Sequence, residues 1–278
     1  MGRYGILIDA IYIPTLGRSH NQITFDNMTE NAQRVTRLVV QPKEKDLFPN
    51  YPILVLPEND IGITATRKWI YDYAGDTKYG VFDDDLKFIR RTPGGKKSKI
   101  PVCDKGWDYV LNTTSEWLDE FAFSGFRQGN LPPTGKEYIE SAAVNCGFFF
   151  NGKVLPKSDN LDWSLPVCED IHMVLQFFKR GYNNRVWDKF GYISKILVEG
   201  GCNEWRTLKL INDTHEKLIS YYPNHVSWNG IRENVMGGDF KKIKIKWKRM
   251  YLDSKVSNLE EFMNDTKRQT NEFLSHEC

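Results

Sequence analysis

The feature that most constrains the fold is the alternation of apolar and amphipathic segments in the N-terminal third. Near-continuous apolar runs occupy 6–14, 37–42, 51–58 and 79–82, and a segment of helical character fills 63–75. Apolar strands that alternate with helices indicate a parallel sheet that is covered by helices on both faces. In such sheets, ligands bind in the crevice beyond the carboxyl ends of the strands.

Polar residues lie where these strands are predicted to end. In chain order they are Pro14 and Thr15, Glu58, and the acidic run Asp83, Asp84 and Asp85. Three adjacent carboxylates repel one another unless a positive charge lies among them. Hard divalent cations prefer oxygen ligands. The acidic run therefore predicts a cation site at the carboxyl edge of the sheet.

Other interpretations of the acidic run remain open. Acidic residues after a strand are often only a solvated turn. A paired Asp after a strand is also typical of two-metal nucleotidyltransferases and phosphatases. An EF-hand loop is not expected, because the ligands that it requires further along the chain are missing.

Composition excludes several classes of protein. The formal net charge is only +2 over 278 residues, so any nucleic-acid contact must come from a local basic patch. The five cysteines form no CxxC pair, which argues against a zinc ribbon or disulfide framework and favours reduced thiols in a cytoplasm. We expect no signal peptide, and no apolar run is long enough to span a membrane.

A second acidic pair, Glu169 and Asp170, precedes a predicted helix whose apolar face recurs every three or four residues up to Phe178. Acidic residues favour helix N-termini through the helix dipole, so a capping role is a strong alternative to a catalytic one. The dipole also lowers the pKa of an acidic residue. A catalytic Asp170 would therefore need partial burial to recover its basicity.

The rest of the chain is less regular. We predict a helix in the second half of 106–125, a hairpin around Asn151-Gly152 within 141–155, and a helix from Leu208 to Ile219. In the tail, 239–255, lysines alternate with apolar residues, which predicts a strand with one basic face. Such a strand either protects a sheet edge or follows a phosphate backbone.

Four segments together resemble the TET/JBP-associated glycosyltransferases of the GT-A type: IYIPTLGRSHNQIT, LPENDIGITATRKWIYDYA, YGVFDDDLKF and EDIHMVLQFFKRGY. That family includes bacteriophage enzymes that glycosylate hydroxymethylated pyrimidines in DNA. The resemblance implies a Rossmann-like α/β fold with a mixed, mostly parallel sheet flanked by helices. It implies a GT-A domain over 1–235, with a nucleotide-binding half to about 95 and an acceptor half from about 96. A basic strand and helix, 236–278, would pack on this body.

The resemblance also implies roles for individual residues. The donor-binding residues would be Pro14, Thr15, Arg18, Glu58, Asp60, Arg67 and Asp84, together with the metal ligands Asp83 and Asp85. Asp170 would be the base of an inverting displacement, with Glu169 orienting the sugar or the helix. His172 departs from the acidic residue often found there. A third metal ligand would come from His215 or His225, and the acceptor side from Arg206, Lys96, Lys97, Lys244, Lys246 and Lys248.

The function that follows is Mg²⁺- or Mn²⁺-dependent transfer of a sugar, glucose or arabinose, from a UDP-sugar to a hydroxymethylated pyrimidine in DNA. We expect a flipped base, a monomer without membrane contact, and action in the cytoplasm of an infected bacterial host. Three alternatives remain: a metal-dependent nucleotidyltransferase, a GT-A glycosyltransferase with a non-DNA acceptor, and a DNA-binding protein whose carboxylates are structural.

Overall fold

The computed structural model describes residues 8–92, 100–194, 201, 206–233 and 238–258. One ten-stranded sheet forms the centre of the molecule. Its strands are β1 (Ala10–Pro14), β2 (Thr36–Val40), β3 (Ile53–Val55), β4 (Lys78–Phe82), β5 (Leu86–Arg90), β6 (Ile100–Pro101), β7 (Phe123–Gln128), β8 (Tyr138–Glu140), β9 (Gly147–Asn151) and β10 (Asn184–Ser194).

The sheet is mixed and mostly parallel, as the sequence predicts. Its order is β3-β2-β1-β4-β9-β7-β10-β5-β6, and β8 pairs with β10 off this path. Strands β3, β2, β1 and β4 are parallel neighbours, whereas β9 runs antiparallel between β4 and β7. Because β9 is antiparallel to both β4 and β7, strand β7 and its parallel partner β10 run in the same direction as the first four strands. The carboxyl ends of β1, β2 and β4 therefore meet at one edge.

Helices cover both faces of the sheet. They are α1 (Ile23–Asp26), α2 (Glu30–Arg34), α3 (Gly62–Ala74), α4 (Asp104–Glu120), α5 (Glu169–Lys179) and α6 (Leu208–Tyr221). Short 3₁₀ helices lie at Pro42–Leu47 and Ser158–Asn160. A last helix, α7, occupies residues 247–258. Gly75 ends α3 with a φ of 55°, a conformation that glycine adopts without steric cost.

Two apolar clusters, one on each face of the sheet, form the core. Strand β9 shows how the sequence builds both: Phe148 and Phe150 belong to one cluster, and Phe149 belongs to the other. Successive side chains of a strand point to opposite faces, so three consecutive phenylalanines fill both layers. All three are almost completely buried, which fixes β9 against its neighbours and holds the cavity edge of the sheet in place.

A separate two-stranded ribbon lies outside the main sheet. Strands β11 (Val226–Glu233) and β12 (Asp239–Ile245) pair antiparallel, with a register shift between Trp228 and Ile231. The chain leaves the ribbon at Lys246 and enters α7. These paired strands lie on both sides of residue 235, where the sequence places a domain boundary.

Three local predictions were wrong. Helix α4 begins at Asp104, because its buried face starts at Trp107 and continues to Leu118. The chain around Asn151-Gly152 is not a hairpin: β9 pairs with β4 and β7, and a turn follows it. The basic strand ends at Ile245, so Lys246 precedes a helix and Lys248 lies in it; Lys244 is the only one of these three in β12.

The predicted helix at 208–219 is confirmed as α6. Within the part of the chain that the structure describes, every helix is too short or too polar to cross a membrane.

Candidate active site

A cavity of about 460 Å³ lies at the carboxyl ends of β1, β2 and β4. Residues that follow these strands form one side of it, and the N-terminal turns of α3 and α5 form another. The acidic run from Asp83 to Asp85 and the acidic pair Glu169 and Asp170 both line this cavity. Two clusters that are 84 residues apart in sequence, counted from Asp85 to Glu169, therefore face the same space.

The middle carboxylate of the acidic run is turned away from solvent. Asp84 accepts a hydrogen bond from Thr15 Oγ1 at 2.8 Å and forms an ion pair with Arg18. All three side chains are buried, and burial raises the pKa of Asp84 in spite of Arg18. Gly201 lies against the same guanidinium group, since a Cβ at this position would be 3.1 Å from Arg18 Nη2. Asp84 therefore anchors the loop after β1 to the loop after β4.

Arg67, from α3, joins the two acidic clusters. Its Nη2 is 2.5 Å from Asp83 Oδ1, and its Nε is 3.1 Å from Glu169 Oε1. Burial alone would lower the pKa of Arg67, but the carboxylates of Asp83 and Glu169 raise it above its ordinary value. Its Nη1 atom is also buried and has no hydrogen-bond acceptor among the described residues. One buried cation thus sets the distance between the acidic clusters.

Asp85 differs from its two neighbours because none of the described cations forms an ion pair with it. Burial, followed by the charges of Asp83 and Asp84, raises the pKa of Asp85 to about 7. An ionised Asp85 is therefore under-compensated in this cavity. A carboxylate in this situation is a good ligand for a divalent cation.

The acidic pair at the start of α5 is held in an unusual backbone conformation. Cys168, the residue before the helix, has a φ of 57°, which is uncommon for a residue with a side chain. Asp170 Oδ1 accepts a hydrogen bond from the backbone N–H of Ile171 at 2.7 Å. Burial raises the pKa of both Glu169 and Asp170, although Arg67 acts in the opposite direction. The burial that a catalytic Asp170 requires is therefore present.

His215, from α6, lies in the cavity wall. Its Nδ1 is 2.8 Å from the carbonyl oxygen of Lys241, so Nδ1 carries the proton and donates. Its Nε2 is then an acceptor, and it lies 3.8 Å from the thiol of Cys168. These contacts connect the start of α5 to strand β12 through one imidazole ring.

Most of the residues that the sequence singles out do line the cavity. They are Pro14, Thr15, Arg18, Arg67, Asp83, Asp84, Asp85, Glu169, Asp170, Arg206 and His215. The other predicted site residues lie elsewhere. Glu58 and Asp60 are exposed outside it, with Asp60 paired to Lys43. His225 contacts Asp253, and Lys244, Lys246 and Lys248 are exposed away from the cavity. Lys96 and Lys97 lie outside the described residues.

Several cavity residues were not foreseen: Gln41, Thr66, Asn145, Cys146, Cys168 and Phe240. Gln41 follows β2 directly, so the rule that ligands bind at carboxyl ends of strands applies to it as well. Thr66 precedes Arg67 on α3, but Asn145 and Cys146 lie in a loop whose course the sequence does not reveal. Cys146 has a φ of 64°.

The donor set fits a divalent cation only in part. Across the described segments, the His, Cys, Asp and Glu side chains form no group of three that could hold a metal ion. The predicted set of Asp83, Asp85 and His215 is thus not assembled as three protein ligands. Two carboxylates remain, and Mg²⁺ is commonly held by one or two carboxylates together with substrate phosphates.

Comparison with known proteins identifies the family. The model of the TET-associated glycosyltransferases matches residues 9–201, a span that contains both acidic clusters and Arg67. The chain belongs to this family. It is therefore a glycosyltransferase, and its sheet agrees with the GT-A architecture that the sequence resemblance implies.

Individual relatives are more distant. The beta-glucosyl-HMC-alpha-glucosyl-transferases of Enterobacteria phages T2 and T6 are each 21% identical to the chain. The matches cover 75% and 69% of this chain and 80% and 74% of the phage proteins. Among solved structures, S. aureus TarS 1–349 in complex with UDP is 11% identical, with a TM-score of 0.44. That alignment covers 76% of this chain and 65% of TarS 1–349, which is less than two thirds of its length.

Proposed function

We propose that this TET-associated glycosyltransferase transfers a sugar from a UDP-sugar to a hydroxyl group carried by a hydroxymethylated pyrimidine in DNA. The acceptor class is inferred from the family and from the phage T2 and T6 relatives, which are named for transfer to beta-glucosyl-HMC. The hydroxyl lies either on the base or on a sugar that is already attached to it.

The observation that carries the proposal is the bridging position of Arg67. It ties Asp83, on the side where a donor diphosphate would lie, to Glu169, on the side where an acceptor would lie. Asp170 follows Glu169 and faces the same cavity. A displacement at the anomeric carbon needs the donor and the acceptor in fixed positions across that carbon, because a misplacement of about 1 Å lowers the reaction rate strongly.

On the donor side, Asp83 and Asp85 would hold Mg²⁺ or Mn²⁺. When bound, this cation supplies Lewis-acid stabilisation of the departing diphosphate. The donor phosphates would complete the coordination that two carboxylates leave open. Pro14, Thr15 and Gln41 line the same end of the cavity and would contact the nucleotide.

On the acceptor side, Asp170 would take the proton of the acceptor hydroxyl. The acceptor oxygen then forms a bond to the anomeric carbon of the sugar while the bond from that carbon to the UDP oxygen breaks. The proton ends on Asp170 and the negative charge on UDP. Burial raises the pKa of Asp170, and this makes its ionised form a stronger base than an exposed aspartate.

Stereochemistry separates two versions of this step. In-line displacement with Asp170 as the base inverts the anomeric carbon, so an α-configured UDP-sugar gives a β-linked product. The phage relatives are named as alpha-glucosyl-transferases. An α-linked product from the same donor requires retention, and Asp170 would then not act as the base.

The test is direct. The protein is incubated with UDP-glucose or UDP-arabinose, Mn²⁺ and duplex DNA that contains hydroxymethylcytosine or its β-glucosylated form. We expect release of UDP and a mass increase of one sugar residue on the modified nucleoside, and NMR of the product gives its linkage. Unmodified DNA is the control. Release of pyrophosphate in place of UDP would instead indicate a nucleotidyltransferase, and transfer to none of these DNAs would exclude the proposed acceptor.

A further inference from the structure

The β11–β12 ribbon exposes large apolar side chains, whose exposure to solvent does not stabilise the strand. Every residue of β11 after Val226 is exposed. Among them, Trp228 is 44% exposed and Ile231 is 61% exposed. The two residues flank the register shift at Asn229-Gly230, where a Cβ on Gly230 would meet no atom within 4 Å. The ribbon therefore presents two large apolar groups beside an open backbone.

The ribbon is fixed to the cavity wall by its other strand. Asn212, on α6, donates to the carbonyl oxygen of Asp239 and accepts from the N–H of Lys241, both at 3.0 Å. His215 contacts the carbonyl oxygen of Lys241 on the same strand. Phe240 lies between these anchors and lines the cavity itself. One strand of the ribbon thus borders the active site while the other faces solvent.

The ribbon and the helix α7 that follows it in the chain carry an excess of positive charge. Residues 226–233 and 238–258 contain eight Lys and Arg but only three Asp and Glu, whereas the whole chain has a net charge of +2. Lys241 Nζ lies 5.5 Å from the centre of the Trp228 ring, so cations and the exposed apolar groups occur together. Charge of this sign complements the phosphate backbone of DNA.

We propose that the exposed face of β11 is the surface that inserts into duplex DNA, with Trp228 and Ile231 as the apolar wedge. The inference rests on the proposed function and names the contact by which the duplex is opened. A base that enters the cavity leaves a gap in the stack, and proteins commonly open base steps with apolar side chains. A two-stranded ribbon also has the width that the major groove admits. Phe240 pairs with Arg232 and lines the cavity from the opposite face of the ribbon, so the ribbon itself separates the wedge from the cavity by the thickness of one strand pair.

The experiment compares duplex and single-stranded acceptors of the same sequence. In the double variant Trp228→Ala/Ile231→Ala, transfer to the duplex should fall by about tenfold or more, the loss that removal of one stacking contact produces. Transfer to the single strand should change by less than twofold, because no stack has to be opened. The matched control is Leu47→Ala/Tyr73→Ala, since Leu47 and Tyr73 are each 56% exposed elsewhere on the molecule. This control should retain both activities.

If the double variant lost transfer equally on both acceptors, or lost none on the duplex, the wedge proposal would be overturned. If the unmodified protein releases UDP from the donor but transfers to neither DNA, the proposed function has failed. The wedge is then judged by binding to a duplex that carries 2-aminopurine. The unmodified protein should raise 2-aminopurine fluorescence and the double variant should not; equal signals overturn the proposal. A dimer in solution that the double variant abolishes, with duplex affinity unchanged, would assign this face to a second copy of the chain.

Discussion

Replacement of Asp85 by Asn should stabilise the metal-free protein while it abolishes sugar transfer. The pKa of Asp85 rises from 3.8 to about 7, chiefly through burial and then through Asp83 and Asp84. The folded state therefore binds more protons than the unfolded state between about pH 4 and pH 7. Stability is lost as the pH rises through this window, and the full cost of the charge is present above pH 7.

The size of the effect follows from the shift. One pKa unit corresponds to about 1.4 kcal/mol, so a shift of this size sets an upper limit of about 4 kcal/mol. Asn retains the shape of the side chain but not its charge, and we expect it to recover roughly 1–3 kcal/mol at pH 8. For a domain of this size, that corresponds to a rise in Tm of about 2–4 °C per kcal/mol.

The assay is thermal unfolding of the two proteins between pH 8 and pH 4 in EDTA, repeated with Mn²⁺ and UDP. Without metal, Asp85→Asn should have a higher Tm than the unmodified protein at pH 8. This difference in Tm should shrink towards pH 4. With Mn²⁺ and UDP, only the unmodified protein should gain stability. Asp83→Asn is the matched control, because it breaks the ion pair with Arg67 and should lower the metal-free Tm. A Tm difference that is absent at pH 8, or that does not change with pH, would refute the raised pKa of Asp85 as the cause.

Further predictions concern the base and the basic surface. Asp170→Asn should lower turnover by about 10²–10⁴ and leave UDP affinity almost unchanged in calorimetry; loss of UDP binding would show that the pair at the head of α5 holds the donor. Because the pKa of Asp170 is raised, activity should fall as the pH drops below that raised pKa, measured as a pH profile of kcat. Lys244→Gln/Lys246→Gln should flatten the dependence of DNA affinity on salt by roughly two units, about 0.9 for each phosphate contact. An unchanged slope would remove both lysines from the DNA-binding surface.

The sequence predicted where the site lies better than it predicted which residues line it. The rule that ligands bind at the carboxyl ends of parallel strands identified Thr15 and the acidic run. It did so because an apolar strand that is followed directly by polar residues can be recognised in the sequence. The same rule selected Glu58, but β3 ends at Val55, three residues earlier, and Glu58 is exposed outside the cavity. Gln41, directly after β2, lines the cavity instead. The error lay in the position of one strand end.

Tertiary contacts explain the structural features that no sequence pattern predicted. Nothing in a run of three aspartates indicates which one turns inward, and Asp84 does so because Thr15 and Arg18 meet it from another loop. Cys168 and His215 are 47 residues apart and meet only because α6 packs beside the start of α5. The early end of the basic strand has a local cause, since Trp247 packs against the core from a helix and not from a strand.

The charges of the cavity bear on how an anionic donor could enter it. Its described lining contains five carboxylates, from Asp83 to Asp85 and at Glu169 and Asp170, against three arginines. Arg67 is already shared by two of these carboxylates, and Arg18 is bound to a third. A diphosphate that entered alone would add negative charge to a site that already has an excess. A divalent cation at Asp83 and Asp85 would neutralise that excess, so in the proposed mechanism the cation is needed for donor binding as well as for departure of UDP.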